Sequence, residues 1–234
     1  MHNPQAKAIR LIEILLLISA IVLFVVGSVL EDTFFLRLAT EALIFGGLAM
    51  SVDLLLGIVG LLSLGQALYF GFGAYLSALV LKEISPSFFL AIGIVILASM
   101  VLGWIASYVA LRSKGVYFAL ITFGLAQVAA KVVYNTRSLG ASDGMMGVPI
   151  LQIWSPLGVL DAGQPGTFFV ITLLTIGGLY AVLKYFLTTP MGSIWHAIRS
   201  NEDRLAYVGY KSKGPKQVAF ILAAVVAAVS GSLY

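Results

Sequence analysis

The stretch that decides the fold is TTPMGSIWHAIRSNEDRLAYVGYKSKGPKQ, residues 188–217, a polar island between two apolar runs. The island holds seven of the 24 charged residues in the chain, whereas the runs on either side, 166–187 and 216–234, are almost free of charge. Of all 234 residues, 60% are hydrophobic and 10% are charged, and the mean hydropathy is +1.03. A soluble domain carries about 25% charged residues, so this composition predicts that lipid is the main solvent.

Charge and cysteine content exclude other classes. A net charge of +4 could indicate nucleic-acid binding, but the positive residues lie at the ends of apolar runs rather than on one polar face. The absence of cysteine excludes disulfides, thiol chemistry and cysteine-based metal sites. The chain has no H-E-x-x-H motif of the kind that binds zinc in metalloproteases. Its only histidines, His2 and His196, fall near a terminus and in a loop, so no histidine pattern favours an enzyme.

Apolar runs long enough to cross a bilayer recur along the chain. A spanning helix needs about 20 mostly apolar residues. Seven segments qualify, and they are 11–30, 36–57, 65–81, 88–111, 115–133, 166–187 and 216–234. The first is interpreted as a retained helix, because no A-x-A cleavage site follows it. The sequence therefore predicts an all-α, polytopic transmembrane bundle of about seven helices in a single domain, 1–234.

The distribution of Lys and Arg predicts the orientation. With a cytoplasmic N-terminus, the inside segments hold ten Lys and Arg residues and the outside segments hold four, as the positive-inside rule expects. The island is then cytoplasmic and the connection 134–165 is external. The chain ends at AAVVAAVSGSLY without a polar tail, so we expect a C-terminally incomplete domain.

The island has the signals of a short, capped helix. SNED (Ser200–Asp203) fits a capping box in which Ser200 is the N-cap, and Gly209 is a natural stop, so a helix is predicted over 201–208. Pro215 suits the first turn of the next span. So short a helix needs a surface to pack on. Leu205 and Val208 are expected on one side of it, and either a surface helix on the bilayer or a docking site for another protein fits this pattern.

Four motifs resemble one family, the permeases of branched-chain amino acid ABC importers. The segment GSIWHAIRSNEDRLAYVGYKSKGPKQVAFILAAVVAAVSGSLY is similar to that family's cytoplasmic loop and following helix. LLLGIVGLLSLGQALYFGFGAYLSALV (54–80), LRSKGVYFALITFGLAQV (111–128) and the SDGMMGVP loop are similar to further family motifs, in the family's order. Asp53 is a departure, because family members usually carry Asn there.

The resemblance implies a function and a set of partners. A permease of this family moves branched-chain or other hydrophobic amino acids across the bacterial inner membrane, and close relatives carry urea and short amides. Its partners are a second permease subunit, two cytoplasmic ATPase subunits and a substrate-binding protein. ATP and magnesium bind the ATPase chains, and this chain indeed lacks the phosphate-binding motif G-x-x-x-x-G-K-[ST]. No cofactor is expected here.

The resemblance also assigns residues 190–215 of the island as the coupling loop that docks in a groove of the ATPase. The coupling residues that it implies are Arg199, Asn201, Glu202, Arg204, Leu205, Ala206 and Gly209.

Candidates for the substrate path lie elsewhere in the chain. They are Ser63, Gly65, Gln66, Asp53, Asp143 and Gly144. Small residues at 63–78 indicate either close helix packing or a broken helix with free backbone groups. Asp53 reaches water near a helix end, lines the path or pairs with the partner permease, because an unpaired Asp inside a span is costly. The loop at 140–147 is either a flexible turn or an entry contact.

Two rival classes remain. In an ion-coupled secondary transporter, Glu13, Glu41 and Asp53 would be ion or proton sites. An i,i+4 ion pair between Arg37 and Glu41 is the simpler explanation of that glutamate. The other rival is a membrane scaffold without transport activity.

Overall fold

The computed structural model describes residues 33–141, 144–145, 147–149, 152–155, 158–161 and 163–234. The predicted first span, 11–30, with Glu13, lies outside the described residues. The α-helices are α1 (Thr33–Asp53), α2 (Gln66–Glu83), α3 (Phe88–Ala110), α4 (Val116–Asn135), α5 (Pro165–Thr188), α6 (Pro190–Ser200), α7 (Glu202–Tyr207) and α8 (Lys213–Gly231). A π-helical turn, Leu54–Val59, continues α1, and a 3-10 turn, Arg137–Leu139, follows α4.

The helices confirm the predicted fold class. Five helices of the described part are long and apolar enough to cross a membrane, namely α1 with its π-helical turn, α3, α4, α5 and α8. Helix α2 lies where the third span was predicted, but its aromatic, glycine and terminal charged residues make it less apolar than those five. Six of the seven predicted spans are therefore helices.

The sequence did not predict a small hairpin in the connection between α4 and α5. Strands β1 (Gln152–Ser155) and β2 (Gly158–Asp161) pair antiparallel, with Gln152 opposite Asp161 and Ser155 opposite Gly158. The hairpin sits outside the spans, so the bundle itself stays all-helical.

Helix α8 is the centre of the described bundle. It packs against α1, α2 and α3, and its residues from Ala223 to Gly231 are all buried. Small residues permit the close approach. A Cβ on Gly73 of α2 would collide with the carbonyl oxygen of Ala228, and a Cβ on Gly231 would collide with that of Phe70.

An aromatic cluster joins α2, α4 and α8. The ring of Phe220 makes edge-to-face contacts with Tyr69, at a centroid distance of 5.9 Å, and with Phe118, at 6.1 Å. All three side chains are buried. The cluster holds Phe220, in the first half of α8, against Phe118 near the start of α4.

Candidate functional site

The island, residues 188–217, closes one end of the bundle, which we call the island end. The indole nitrogen Nε1 of Trp195 in α6 donates to the carbonyl oxygen of Pro215 in α8 at 2.9 Å. The Trp195 ring is completely buried and stacks on Phe186 at the end of α5. Pro215 lies in the first turn of α8, as predicted. The island is thus folded against the helices that enter and leave it.

The cap of α7 is one residue later than the sequence predicted. Asn201 Oδ1 accepts from the backbone N–H of Arg204 at 2.9 Å, so Asn201 is the N-cap. Ser200, the predicted cap, is instead the last residue of α6, and its hydroxyl donates to the carbonyl oxygen of His196. The capping box at Ser200 and Asp203 is wrong because α6 runs on through Ser200, and the chain becomes extended only at Asn201.

Gly209 ends α7 as predicted. Its φ is +91°, in the left-handed region where a Cβ is unfavourable. The N–H of Tyr210 donates to the carbonyl oxygen of Leu205 at 3.2 Å, and that of Gly209 donates to Ala206 at 2.9 Å. This pair of bonds is a Schellman motif, which fixes the direction in which the chain leaves α7.

Leu205 and Val208 lie on different faces of the island, although the sequence predicted that they share one face. Leu205 is partly buried and packs against the hydrophobic core of the bundle. Val208 is 75% exposed, and its neighbours Tyr207 and Tyr210 are 89% and 54% exposed. The expectation that Leu205 and Val208 share one side is wrong, because the tight turn at Gly209 carries Val208 away from the bundle. We call Tyr207, Val208 and Tyr210 the outer patch.

An ion pair holds α7 to the start of α8. The Glu202 carboxylate accepts from Lys216 Nζ at 2.6 Å and from the Ser212 hydroxyl at 2.6 Å. Partial burial raises the pKa of the Glu202 carboxyl, but hydrogen bonds from Lys216 and Ser212 and the positive charges of Lys216 and Lys114 lower it further, so its pKa lies below the ordinary value. The carboxylate is therefore charged at neutral pH and links the island to α8.

Arg199 connects the island to the end of α1. Its guanidinium donates from Nη1 to the carbonyl oxygen of Gly57, inside the π-helical turn. The backbone of Arg199 also lies so near Gly60 that a Cβ there would touch it at 3.4 Å. The exposed Asp53 carboxylate lies over Gly57. Arg199 and Asp53, candidates on different grounds in the sequence, thus flank the same turn.

The π-helical turn leads into a break between α1 and α2. Gly60 adopts a left-handed conformation with φ +82°, and the backbone stays non-helical until Gln66 begins α2. The N–H of Leu64 donates to Thr122 Oγ1 of α4 at 3.1 Å. A Cβ on Gly65 would lie 2.9 Å from the Thr122 carbonyl oxygen, so the break is pressed against α4.

The predicted residues of the break are buried polar groups. The Ser63 hydroxyl oxygen accepts from the Gly65 N–H and from Gln66 Nε2, each at 3.4 Å. Gln66 is only 3% exposed, and its Oε1 has no hydrogen-bond partner among the described residues. An orphaned buried carbonyl is costly, so Gln66 Oε1 is a buried acceptor that the described residues leave unsatisfied.

The last two candidates, Asp143 and Gly144, fall in the connection after α4. Asp143 lies outside the described residues. Gly144 has φ +76° and lies in the connection after α4, where its carbonyl oxygen would collide with a Cβ on Gly140. The connection thus needs glycine at both positions for backbone reasons.

Sequence reasoning missed four residues that build these sites. They are Thr122, Trp195, Ser212 and Lys216. Thr122 places a hydroxyl in the apolar run of α4, and Lys216 places a charge near the start of α8. Both side chains need polar partners in a membrane, so the sequence could have indicated them as site residues. Which partners they would find depended on contacts between elements distant in sequence.

Comparison with known proteins identifies relatives across nearly the whole chain. The family described as branched-chain amino acid transport system, permease component, matches residues 34–234. The high-affinity branched-chain amino acid transport system permease protein LivM of Escherichia coli K12 is 26% identical, over 94% of this chain and 56% of that protein. LivM of Salmonella typhimurium LT2 is 26% identical, over 84% of this chain and 51% of that protein. The chain spans about half the length of these relatives, and no solved structure matches it significantly.

Proposed function

Because this chain belongs to the branched-chain amino acid transport permease family, we propose that it is the membrane-spanning subunit of an ATP-driven importer of branched-chain and other hydrophobic amino acids. It is an integral membrane protein and a transport component rather than an enzyme. In the proposed assembly it works with a second permease subunit, two ABC ATPase subunits that bind ATP and magnesium, and a substrate-binding protein. The family match over residues 34–234 carries this proposal.

The proposed location is the bacterial inner membrane, with the N-terminus and the island in the cytoplasm. The bias of ten inside to four outside Lys and Arg residues supports this orientation. The ends of α1, α3 and α5 and the starts of α2, α4 and α8 would then be cytoplasmic. The connection that carries the hairpin and Gly144 would face outward, toward a binding protein.

The island is the proposed coupling element. Its inner face is anchored by Leu205, Trp195 and the Glu202–Lys216 pair, so it moves with the bundle. Its outer patch is exposed and largely aromatic, which is the composition of an interface core. A groove of the ATPase would cover the outer patch, and Arg199 and Arg204 would supply the charged border.

The break between α1 and α2 is the proposed responding element. Arg199 is bonded to the Gly57 carbonyl in the π-helical turn, so a displaced island pulls on the turn that leads to Ser63 and Gln66. Single π-turns are frequent at functional sites. A shift of the break would expose the Gln66 amide and the free backbone of 61–64 to the substrate path, which Asp53 would border.

Reconstitution tests this function. The full-length protein, with its second permease, both ATPases and its binding protein, is placed in liposomes, and uptake of radiolabelled leucine is measured. We expect uptake that requires ATP inside the cytoplasmic-facing compartment and is competed by isoleucine and valine. Uptake of urea without uptake of leucine would show that the substrate class is urea and short amides instead. Uptake driven by a proton gradient without ATP would overturn the mechanism in favour of a secondary transporter.

A further inference from the structure

The π-helical turn at the end of α1 has an unusual set of hydrogen bonds. In a continuing α-helix, the N–H of Leu61 would donate to the carbonyl oxygen of Gly57, four residues earlier. It donates instead to the carbonyl oxygen of Leu55 at 2.7 Å, and the N–H of Gly60 donates to the same oxygen. The Gly57 carbonyl accepts from the guanidinium of Arg199 in α6. A side chain of the island thus occupies the acceptor that a continuing α-helix would use.

Arg199 is well suited to this acceptor. The carbonyl groups of the last turn of a helix lack donors within the helix, and a positive charge near them is favoured by the helix dipole. The contact does not depend on the guanidinium alone, because a Cβ on Gly60 would lie 3.1 Å from Arg199 Cγ and 3.4 Å from its Cα. Arg199 is therefore a C-terminal cap for α1, supplied from 142 positions after Gly57.

Gly60 allows the turn to change its form. Its φ is +82°, in the left-handed region, and glycine reaches the right-handed helical region without a steric cost. The far end of the break is held where the N–H of Leu64 donates to Thr122 Oγ1 at 3.1 Å. Winding Gly60 and Leu61 into α1 would replace about 3.3 Å of extended chain per residue by about 1.5 Å of helix, which shortens the break by about 3 to 4 Å.

We propose that Arg199 is a positioning residue that holds the end of α1 in its π-helical form. When the island moves and the Arg199 bond breaks, the Gly57 carbonyl becomes free for the Leu61 N–H, and the turn becomes α-helical. Ser63 and Gln66, which follow the turn, are then drawn toward α1. This rearrangement rests on the proposed function for the force that moves the island, and it names the bond whose exchange makes the break respond.

Two substitutions should release the turn in the absence of nucleotide. Arg199→Ala removes the donor to the Gly57 carbonyl, whereas Arg199→Lys keeps the charge with a less well matched donor and should retain part of the cap. Gly60→Ala keeps the arginine but disfavours the left-handed backbone and adds a Cβ close to Arg199. Matched controls are Lys211→Ala, which removes an exposed positive charge of the island, and Gly93→Ala, which adds a methyl group in open space on α3.

The test measures distances between pairs of spin labels in the complete transporter in nanodiscs. The chain has no cysteine, so each pair is introduced alone, with cysteine-free partner subunits. The reporter pair is Leu62→Cys in the break and Val109→Cys near the end of α3, and both positions are exposed. The control pair is Ala49→Cys on α1 and Val101→Cys on α3, which lie outside the turn and the break. Distances are recorded by double electron–electron resonance without nucleotide and with a non-hydrolysable ATP analogue.

Without nucleotide, we expect one main reporter distance in the parent and a second population in Arg199→Ala and Gly60→Ala, shifted by up to about 4 Å. In Arg199→Ala the ratio of the shifted to the original population should rise about tenfold or more, the effect of one lost hydrogen bond to a charged group. The ATP analogue should populate the same shifted distance in the parent. The two control variants, and the control pair in every variant, should keep the parent distribution without nucleotide.

Several outcomes would overturn the role of Arg199. One is an unchanged reporter distance in Arg199→Ala, or in Gly60→Ala if the arginine variant does not assemble. Another is an equal shift of the control pair, because Arg199 would then hold the bundle rather than the turn. A third is a parent that takes up leucine with ATP but whose reporter distance ignores the ATP analogue.

These outcomes are distinct from a failure of the proposed function. ATP-driven leucine uptake by the parent leaves that function standing whatever the reporter distances show. If the parent takes up no leucine with ATP, the proposed function fails, and the distances recorded without nucleotide still decide whether Arg199 holds the π-helical turn.

Discussion

Leu205 and Val208 are three residues apart on the island, yet one packs on the bundle and the other is exposed. Val208→Asp therefore places a charge in the outer patch without disturbing the fold, and we expect it to lose co-purification with the ATPase subunits and, with it, uptake. Burying an unpaired charge at an interface is strongly unfavourable. Val208→Thr keeps the shape and should retain both. Val208→Asp with the ATPase still bound would exclude the outer patch as the docking face.

The same substitution at Leu205 should act differently. Leu205→Asp removes an apolar contact with the core, so the island itself should loosen, seen as faster proteolysis between residues 200 and 212 in the isolated permease. Val208→Asp should leave that proteolysis unchanged. Equal protection of the two variants would contradict the assignment of inner and outer faces.

Glu202 gives the island a defined pH response. The pKa of its carboxyl is below the ordinary value, so its pairing stabilises the island above the unfolded-state pKa of about 4.3 and is lost as the pH falls through the lower, folded pKa. We expect hydrogen exchange of residues 202–212 to be unchanged from pH 8 to 5.5, after correction for intrinsic rates, and to accelerate only below pH 4.5.

Glu202→Gln removes this pairing at every pH. Hydrogen exchange of residues 202–212 should be about tenfold faster at pH 7, as for a lost hydrogen bond to a charged group. Its acceleration below pH 4.5 should be smaller than in the parent. Asp203→Asn is the matched control, because Asp203 is exposed and makes no ion pair within the described residues. The same acid response in Glu202→Gln as in the parent would assign it to another group.

Sequence alone placed Glu202 on a short helix and Gly209 at the end of that helix, because capping and stop signals are local. It could not assign the cap between Ser200 and Asn201, since that choice depended on how far α6 extends. It could not separate Leu205 from Val208, because their burial depends on where the island meets the bundle. Its ion pair between Arg37 and Glu41, which these two described residues do not form, was wrong because helical spacing permits a contact without requiring it.

At the scale of elements, the contact between α2 and α8 rests on glycine. Gly73→Ala would drive a methyl group into the Ala228 carbonyl, so α8 must shift, and we expect a clear fall in the melting temperature of the detergent-solubilised protein. Gly71→Ala, two residues away with open space around its Cβ, should be neutral or slightly stabilising, since alanine favours helix by about 1 kcal/mol over glycine. Equal melting temperatures for the two variants would contradict the close packing.

The elements themselves were the most predictable level. Six predicted spans became helices because a lipid-exposed chain must satisfy its backbone hydrogen bonds internally. The break at 60–65 was anticipated as an alternative from its glycine and serine content. The hairpin at 152–161 was not, because its two strands are short and their pairing depends on the turn between them rather than on a strong alternating pattern.

At the scale of the whole molecule, the proposed orientation makes opposite predictions for the two ends. Single cysteines are introduced into a chain that has none, at Ser85 and Gly163 on one end and at Ser113 and Tyr207 on the other. An impermeant maleimide applied to intact spheroplasts should label the first pair, and the second pair only after lysis. Labelling of Gly163→Cys only after lysis would overturn the orientation and the span count together.

Helix α8 packs at the centre of helices that the ribosome makes before it, and this imposes an order on biogenesis. About 100 residues separate the end of α3 from the start of α8, which takes about 5–20 s to translate. During that interval the close contact at Gly73 cannot form. Helices α1, α2 and α3 are then in the bilayer without the helix that packs against all three. Any delay in delivering α8 prolongs this state, in which the surfaces of α1, α2 and α3 that α8 later covers have no partner helix.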